Sequence, residues 1–181
     1  MKIKEITPKE FETYLQEFVG HDLTDYYYII DRLIVFEAGK KYKTDESVVR
    51  GEILPHYESE YELWIEGDWK YEKDGKIIET SDPIPNEGGP NFRGRMSTFS
   101  ESINPKKVTA IKVTEDGKTA EVCLDIGGKF IVTPDEEMFI SYSNRSFYSN
   151  GELVTARHAR IDKKTGVLIY IEVHSSDRNK V

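Results

Sequence analysis

Residues 22–38, DLTDYYYIIDRLIVFEA, decide between two architectures. Leu23, Tyr26, Tyr27, Ile30, Leu33 and Ile34 recur at helical spacing, while the crowding of tyrosine, isoleucine and valine is that of a buried strand. We divide the stretch between the two tendencies. A short helical turn runs to about Tyr28, and a strand follows through Phe36, reversing at Glu37-Ala38-Gly39-Lys40. A strand here leads into a curved or closed antiparallel sheet; a helix leads into a cone of helices on such a sheet.

Upstream, Thr7-Pro8-Lys9-Glu10 combines a capping threonine, a proline at the first helical position and a glutamate three residues on. Phe11, Tyr14, Leu15 and Phe18 form one apolar stripe before Gly20 ends the helix. Downstream the pattern is β. Tyr57, Tyr61, Leu63 and Ile65 alternate with Glu58, Glu60, Glu62 and Glu66, which predicts a strand with apolar groups inward and acids outward. Turn signals recur at Asp74-Gly75, Asp116-Gly117, Asp125-Ile126-Gly127-Gly128, Asn150-Gly151 and Lys163-Lys164-Thr165-Gly166, so neighbouring strands run antiparallel. Residues 80–90, TSDPIPNEGGP, break the meander with a loop placed at a pocket rim.

The expected fold is mainly β: an antiparallel meander in a strongly curved sheet or barrel behind an N-terminal helix. One domain covers residues 1–181, with a helical segment at 1–25, the meander at 26–174 and a polar tail at 175–181. Gly67-Asp68-Trp69 followed by YEKDGKIIETS, together with Thr24-Asp25-Tyr26, resembles the glycine-x-tryptophan and Thr-Asp-Tyr motifs of lipocalins, here in reversed order. That resemblance implies an apolar ligand cavity in an antiparallel barrel over residues 26–174. The alternative is an α+β cone similar to the nuclear-transport-factor-like fold, should residues 22–36 be helical.

Composition narrows the partners. The 181 residues carry a net charge of −8, with 21 acids against 11 bases in residues 1–90 and 12 against 14 in the rest. No basic stripe interleaved with aromatics is present, so nucleic acid is not an expected partner. The longest apolar run, Tyr26 to Ile30, is too short to span a membrane, and MKIKEITPKEF has no signal-peptide core, which points to a cytoplasmic protein. Cys123 stands alone and reads as a small hydrophobe. His21, His56, His158 and His174 form no short-spaced pair, and NEGGPNFRGR lacks the strand-to-helix setting of a phosphate loop, so neither metal nor cofactor is expected. Arg93 and Arg95 would extend a positive rim.

The last three strands can be aligned from their turns. The Asn150-Gly151 turn pairs Phe147 with Val154, Arg145 with Ala156, Ser143 with His158 and Ser141 with Arg160. The Gly166 loop pairs Arg160 with Ile169 and His158 with Ile171. One face then carries Ser141, Ser143, Arg145, His158 and Arg160 among Phe139, Ala156, Ile169 and Ile171, with no acid directly opposite the arginines. The other carries Tyr142, Ala159 and Tyr170 with a polar row, Asn144, Arg157 and Glu172. In the Asp74-Gly75 hairpin Tyr71 should face Ile78 and Trp69 face Thr80, two aromatics more at home in a core than in a cavity wall.

Two arginines and a histidine buried without a partner are costly, and an anionic ligand group would compensate them. The expected function is small-molecule binding by an apolar pocket with a cationic patch, Arg145, His158 and Arg160, flanked by Ser141 and Ser143, for an apolar or amphipathic carboxylate. Two alternatives stand beside it. One is a cofactor-independent isomerase, lyase or cyclase with His158 as acid or base; the other is a protein-interaction or inhibitory module acting through the acidic strand Glu58 to Glu66.

Overall fold

In the computed structural model, which describes residues 1–29, 33–49, 52–81, 98–135 and 138–176, the five turns expected from Asp74-Gly75 onward each close an antiparallel hairpin. Those hairpins join β5 (Asp68–Lys73) to β6 (Lys76–Thr80), β7 (Val108–Val113) to β8 (Ala120–Leu124), and β8 to β9 (Gly128–Thr133). They also join β10 (Ile140–Phe147) to β11 (Leu153–Ile161) and β11 to β12 (Leu168–His174). At the tightest turn Asp74 and Gly75 both take positive φ, 52° and 72°, the twist-matching geometry of a two-residue hairpin.

The fold is mainly β. Its strands form two antiparallel sheets, and among the described residues neither closes on itself. The seven-stranded sheet has the order β1-β12-β11-β10-β4-β3-β2, where β1 is Lys2–Glu5, β2 Leu23–Ile29, β3 Leu33–Val49 and β4 Glu52–Ile65. The five-stranded sheet has the order β6-β5-β9-β8-β7. Between them Phe36 meets Phe130 edge-on at 6.1 Å, and Phe130 packs against Trp69 and Tyr71 with ring centres 5.4 and 5.0 Å away. Both aromatics of the β5 hairpin are therefore core, as their spacing suggested; Trp69 is 1% exposed. The hairpin's register departs from the expected one by a bulge, so that Tyr71 faces Glu79 and Lys70 faces Thr80.

Helix α1 (Pro8–Gln16) starts on the full capping box, with the Glu10 amide donating to Thr7 Oγ1 and the Thr7 amide donating to the Glu10 carboxylate. Its stripe packs on the inner face of the larger sheet: Phe11 stacks on Phe139, Tyr14 on Tyr170, and Phe18 meets Tyr142 edge-on. From the same helix Glu12 accepts the Val113 amide at 2.6 Å and Gln16 donates to the Ile111 carbonyl, tying the outer edge of β7 to the helix. The helix thus bridges both sheets.

Three expectations are corrected. Residues 23–29 are strand instead of a helical turn, because β2 finds a ladder partner in β3 and tertiary pairing overrides the local helical spacing. This removes the ground for the helical-cone alternative. The chain does not reverse at 37–40; β3 runs on to Val49, and Gly39, at φ 79°, absorbs a bulge opposite Glu60 and Tyr61. The N-terminal segment also contributes β1, an edge strand paired with β12. Asp31 and Arg32, most of the 80–90 loop, and Arg93 and Arg95 lie outside the described residues.

Between β4 and β5 the chain leaves one sheet for the other through Glu66 and Gly67, whose amides both donate to the Phe139 carbonyl at 2.8 and 2.7 Å. A Cβ on Gly67 would stand 2.2 Å from the Thr133 carbonyl oxygen, a backbone atom that cannot swing away. Gly67→Ala should therefore destabilise the protein by about 1–3 kcal/mol. Phe130→Ala, which empties the centre of the ring cluster, should cost about 3–5 kcal/mol. Urea midpoints measure both, and a Gly67→Ala midpoint equal to wild type would refute the close-approach argument.

Candidate functional site

Strand parity divides the larger sheet into two chemistries. Tyr142, Ala159 and Tyr170 point inward to the core, whereas their neighbours Ser141, Ser143, His158, Arg160 and Ile171 point outward. The register expected from the turns holds at its centre: Ser143 pairs with His158, Arg145 with Ala156, His158 with Ile171 and Arg160 with Ile169. A bulge after Ser146 shifts Phe147 onto Leu153, one residue from the expected Val154. Phe139 departs too. It precedes β10 and lies in the core against Phe11, not on the outward face.

The five expected site residues all line one groove, open to solvent, of about 380 Å³, together with Glu62, Trp64, Glu66, Ile161 and Lys163. The groove lies on the outer face of the larger sheet, because rings fill the space between the sheets. Three of the added residues come from the β4 end, through a pairing that no local turn announces. β4 lies antiparallel to β10, with Ser143 beside Glu62 and Ser141 beside Trp64.

That strand changes the electrostatics of the site. Glu62, expected to point into water, is 7% exposed, while Tyr57, expected inside, is 53% exposed. Glu62 Oε1 lies 2.7 Å from Arg145 Nη1, Glu58 Oε2 lies 3.5 Å from Arg145 Nε, and Trp64 Nε1 donates to Glu62 Oε2 at 2.9 Å. The buried Nη1 makes no directed hydrogen bond, so the Arg145–Glu62 pair is held by charge. Arg145 therefore has acids beside it after all. Glu60 is likewise engaged, accepting the Lys40 amide and the Tyr42 hydroxyl. Beyond Glu62 the polar layer continues in register with Glu37, which is held by Lys41 and by the Tyr27 hydroxyl.

Ser143 Oγ and His158 Nδ1 are 2.8 Å apart. Burial and the adjacent Arg145 and Arg160 push the imidazole down from 6.5 to about 4, so it is neutral at neutral pH. Either neutral tautomer suits the serine hydroxyl, and Nε2, which has no hydrogen-bond partner among the described residues, offers a donor or an acceptor to the groove. Among the described residues no carboxylate orients the ring as a catalytic triad requires, and a base this weak is a poor activator of serine. Arg160 is exposed and makes no ion pair or hydrogen bond among the described residues. The polar row on the inner face closes on the helix: Glu17 accepts from Asn144 Nδ2 at 3.2 Å and Tyr142 Oη at 3.1 Å, with Arg157 at 4.0 Å. Arg157 thus meets Glu17 although Glu172 of the polar row stands opposite it in register, and Glu172 contacts His174.

Among the described residues no group of three metal-ligating side chains converges, and no helix is long and apolar enough to cross a membrane. No family model, curated protein or solved structure matches the chain. The site's chemistry must be argued from its own side chains.

A histidine held neutral by the native fold loses that environment on unfolding, where it titrates near 6.5. Its contribution to stability is complete above that pH and is lost as pH falls toward about 4, because the unfolded chain takes the proton first. Across this window wild type should lose more stability than His158→Gln, measured by urea unfolding. The His158 ring protons should titrate near 4 by NMR; a midpoint near 6.5 would contradict the buried, arginine-flanked setting.

Proposed function

We propose that the outer groove binds a small amphipathic carboxylate. The observation that carries this reading is the contrast between the two arginines: Arg145 is flanked by Glu58 and Glu62, while Arg160 lines the same groove with no acid in contact among the described residues. A guanidinium offers a carboxylate two parallel N–H donors, and Lys163 adds a second positive charge beside it. Trp64, Ile161 and Ile171 supply the apolar surface for the rest of the ligand, and His158 Nε2 supplies one neutral polar contact. The anion-binding role thus rests on Arg160 and Lys163, and Arg145 serves to hold Glu62 and the strand junction.

A cofactor-free isomerase, lyase or cyclase would use His158 as acid or base at the same place. The depressed basicity of His158 argues for hydrogen bonding over proton transfer, so binding is the reading we favour. The acidic strand is a weaker candidate for docking a protein, since Glu58, Glu60 and Glu62 already hold partners within the fold.

In a thermal-shift and calorimetric series, octanoate and 3-phenylpropionate should stabilise the protein. Arg160→Ala should weaken them about tenfold or more, the loss of a charge-assisted contact worth about 1.5–3 kcal/mol. Absence of any shift in wild type, or equal shifts in Arg160→Ala, would reject the proposal.

A further inference from the structure

Of the two carboxylates that line the groove among the described residues, Arg145 engages Glu62 and not Glu66. Glu66 sits at the end of β4, where its amide donates to the Phe139 carbonyl at 2.8 Å, so the chain's crossing between sheets fixes its position. The side chain is half-buried, with Ser141 as its nearby hydroxyl donor. An ionised carboxylate has room for about four donors, and here at most one is supplied. Arg160 and Lys163 act on Glu66 through space but form no ion pair with it among the described residues.

The placement of these groups follows from the ladder. β10 separates β4 from β11, so the backbones carrying Glu66 and Arg160 are two strand spacings apart, roughly 10 Å. Ser141, on the intervening strand, lies in the groove with them. An acid on one wall and a guanidinium on the other, both facing the same opening and forming no ion pair with each other, form a complement to a molecule carrying both charges. A plain carboxylate would satisfy Arg160 and leave Glu66 as a repulsive neighbour; a plain amine would do the reverse.

We infer that the ligand of this groove is an amino-carboxylate, whose ammonium group is received by Glu66 and whose carboxylate is received by Arg160 with Lys163. Its apolar side chain lies against Trp64 and Ile171. The inference rests on the ligand-binding reading of the groove and narrows its chemical class. Burial holds Glu66 above the usual carboxylate range, and an ammonium group in contact would return it toward that range.

The test uses matched probes on the full chain at neutral pH: L-phenylalanine, 3-phenylpropionate without the amine, and 2-phenylethylamine without the carboxylate, with the corresponding L-leucine set. The amino acid of at least one set should bind about tenfold more tightly than either truncated partner. Glu66→Gln should abolish the preference for the amino acid over the carboxylate, and Arg160→Gln the preference over the amine. Circular dichroism confirms that both variants remain folded. If the truncated carboxylates bind as tightly as the amino acids and still depend on Arg160, the amino-carboxylate inference fails while the anion-binding groove survives. If no probe of either set binds wild type, both fail.

Discussion

β10 is hydrogen-bonded on both sides, and the second of its two partners is the join on which the rest depends. Its pairing with β11 is local and closes through a short turn; its pairing with β4 brings together segments far apart in the chain. Such a pairing must offset the entropy of closing a long loop. It does so on two faces at once. Inward, Leu63 and Tyr142 meet side by side in the core; outward, Glu62 comes beside Ser143 and within 2.7 Å of Arg145. Without β4, Arg145 would be a largely buried cation lacking its acid, and the groove would lack Trp64, Glu62 and Glu66.

A single-residue alternation therefore separates stability from chemistry. On β10 the odd positions Ser141, Ser143 and Arg145 face the groove and Ile140 and Tyr142 the core, and on β11 His158 and Arg160 face the groove and Ala159 the core, so the sheet is one wall of a hydrophobic interior and the floor of a polar groove. The outward polar groups are mutually engaged: Trp64 with Glu62, Glu62 with Arg145, Ser143 with His158, Tyr27 with Glu37. Such a network rigidifies the face that would receive a ligand. Arg160, Lys163, Nε2 of His158 and the spare capacity of Glu66 stand apart from it, which is where the proposed ligand would be recognised.

What was legible in the sequence was what short-range chemistry dictates. The capping box placed α1, and the turn residues placed the hairpins and the central register that unites Ser143 with His158. Bulges at Tyr71 and Ser146 were not legible, because an inserted residue leaves the alternation of side-chain types nearly unchanged on either side. Gly39 misled for the related reason that a positive-φ glycine serves a bulge as well as a turn. The acids of β4 were misread because alternation identifies two faces without saying which one meets water. Only the distant partner strand reveals that Glu62 faces an arginine.

The reach of Glu12 and Gln16 to the outer edge of β7 has a consequence for the state of the protein in bulk. An open strand edge is a template for adding another chain, and here two helical side chains occupy part of that template. The first helix is thus a guard as well as packing. Loss of it by proteolytic trimming would uncover rings of the core and a row of hydrogen-bonding groups together, the combination from which intermolecular sheet growth begins.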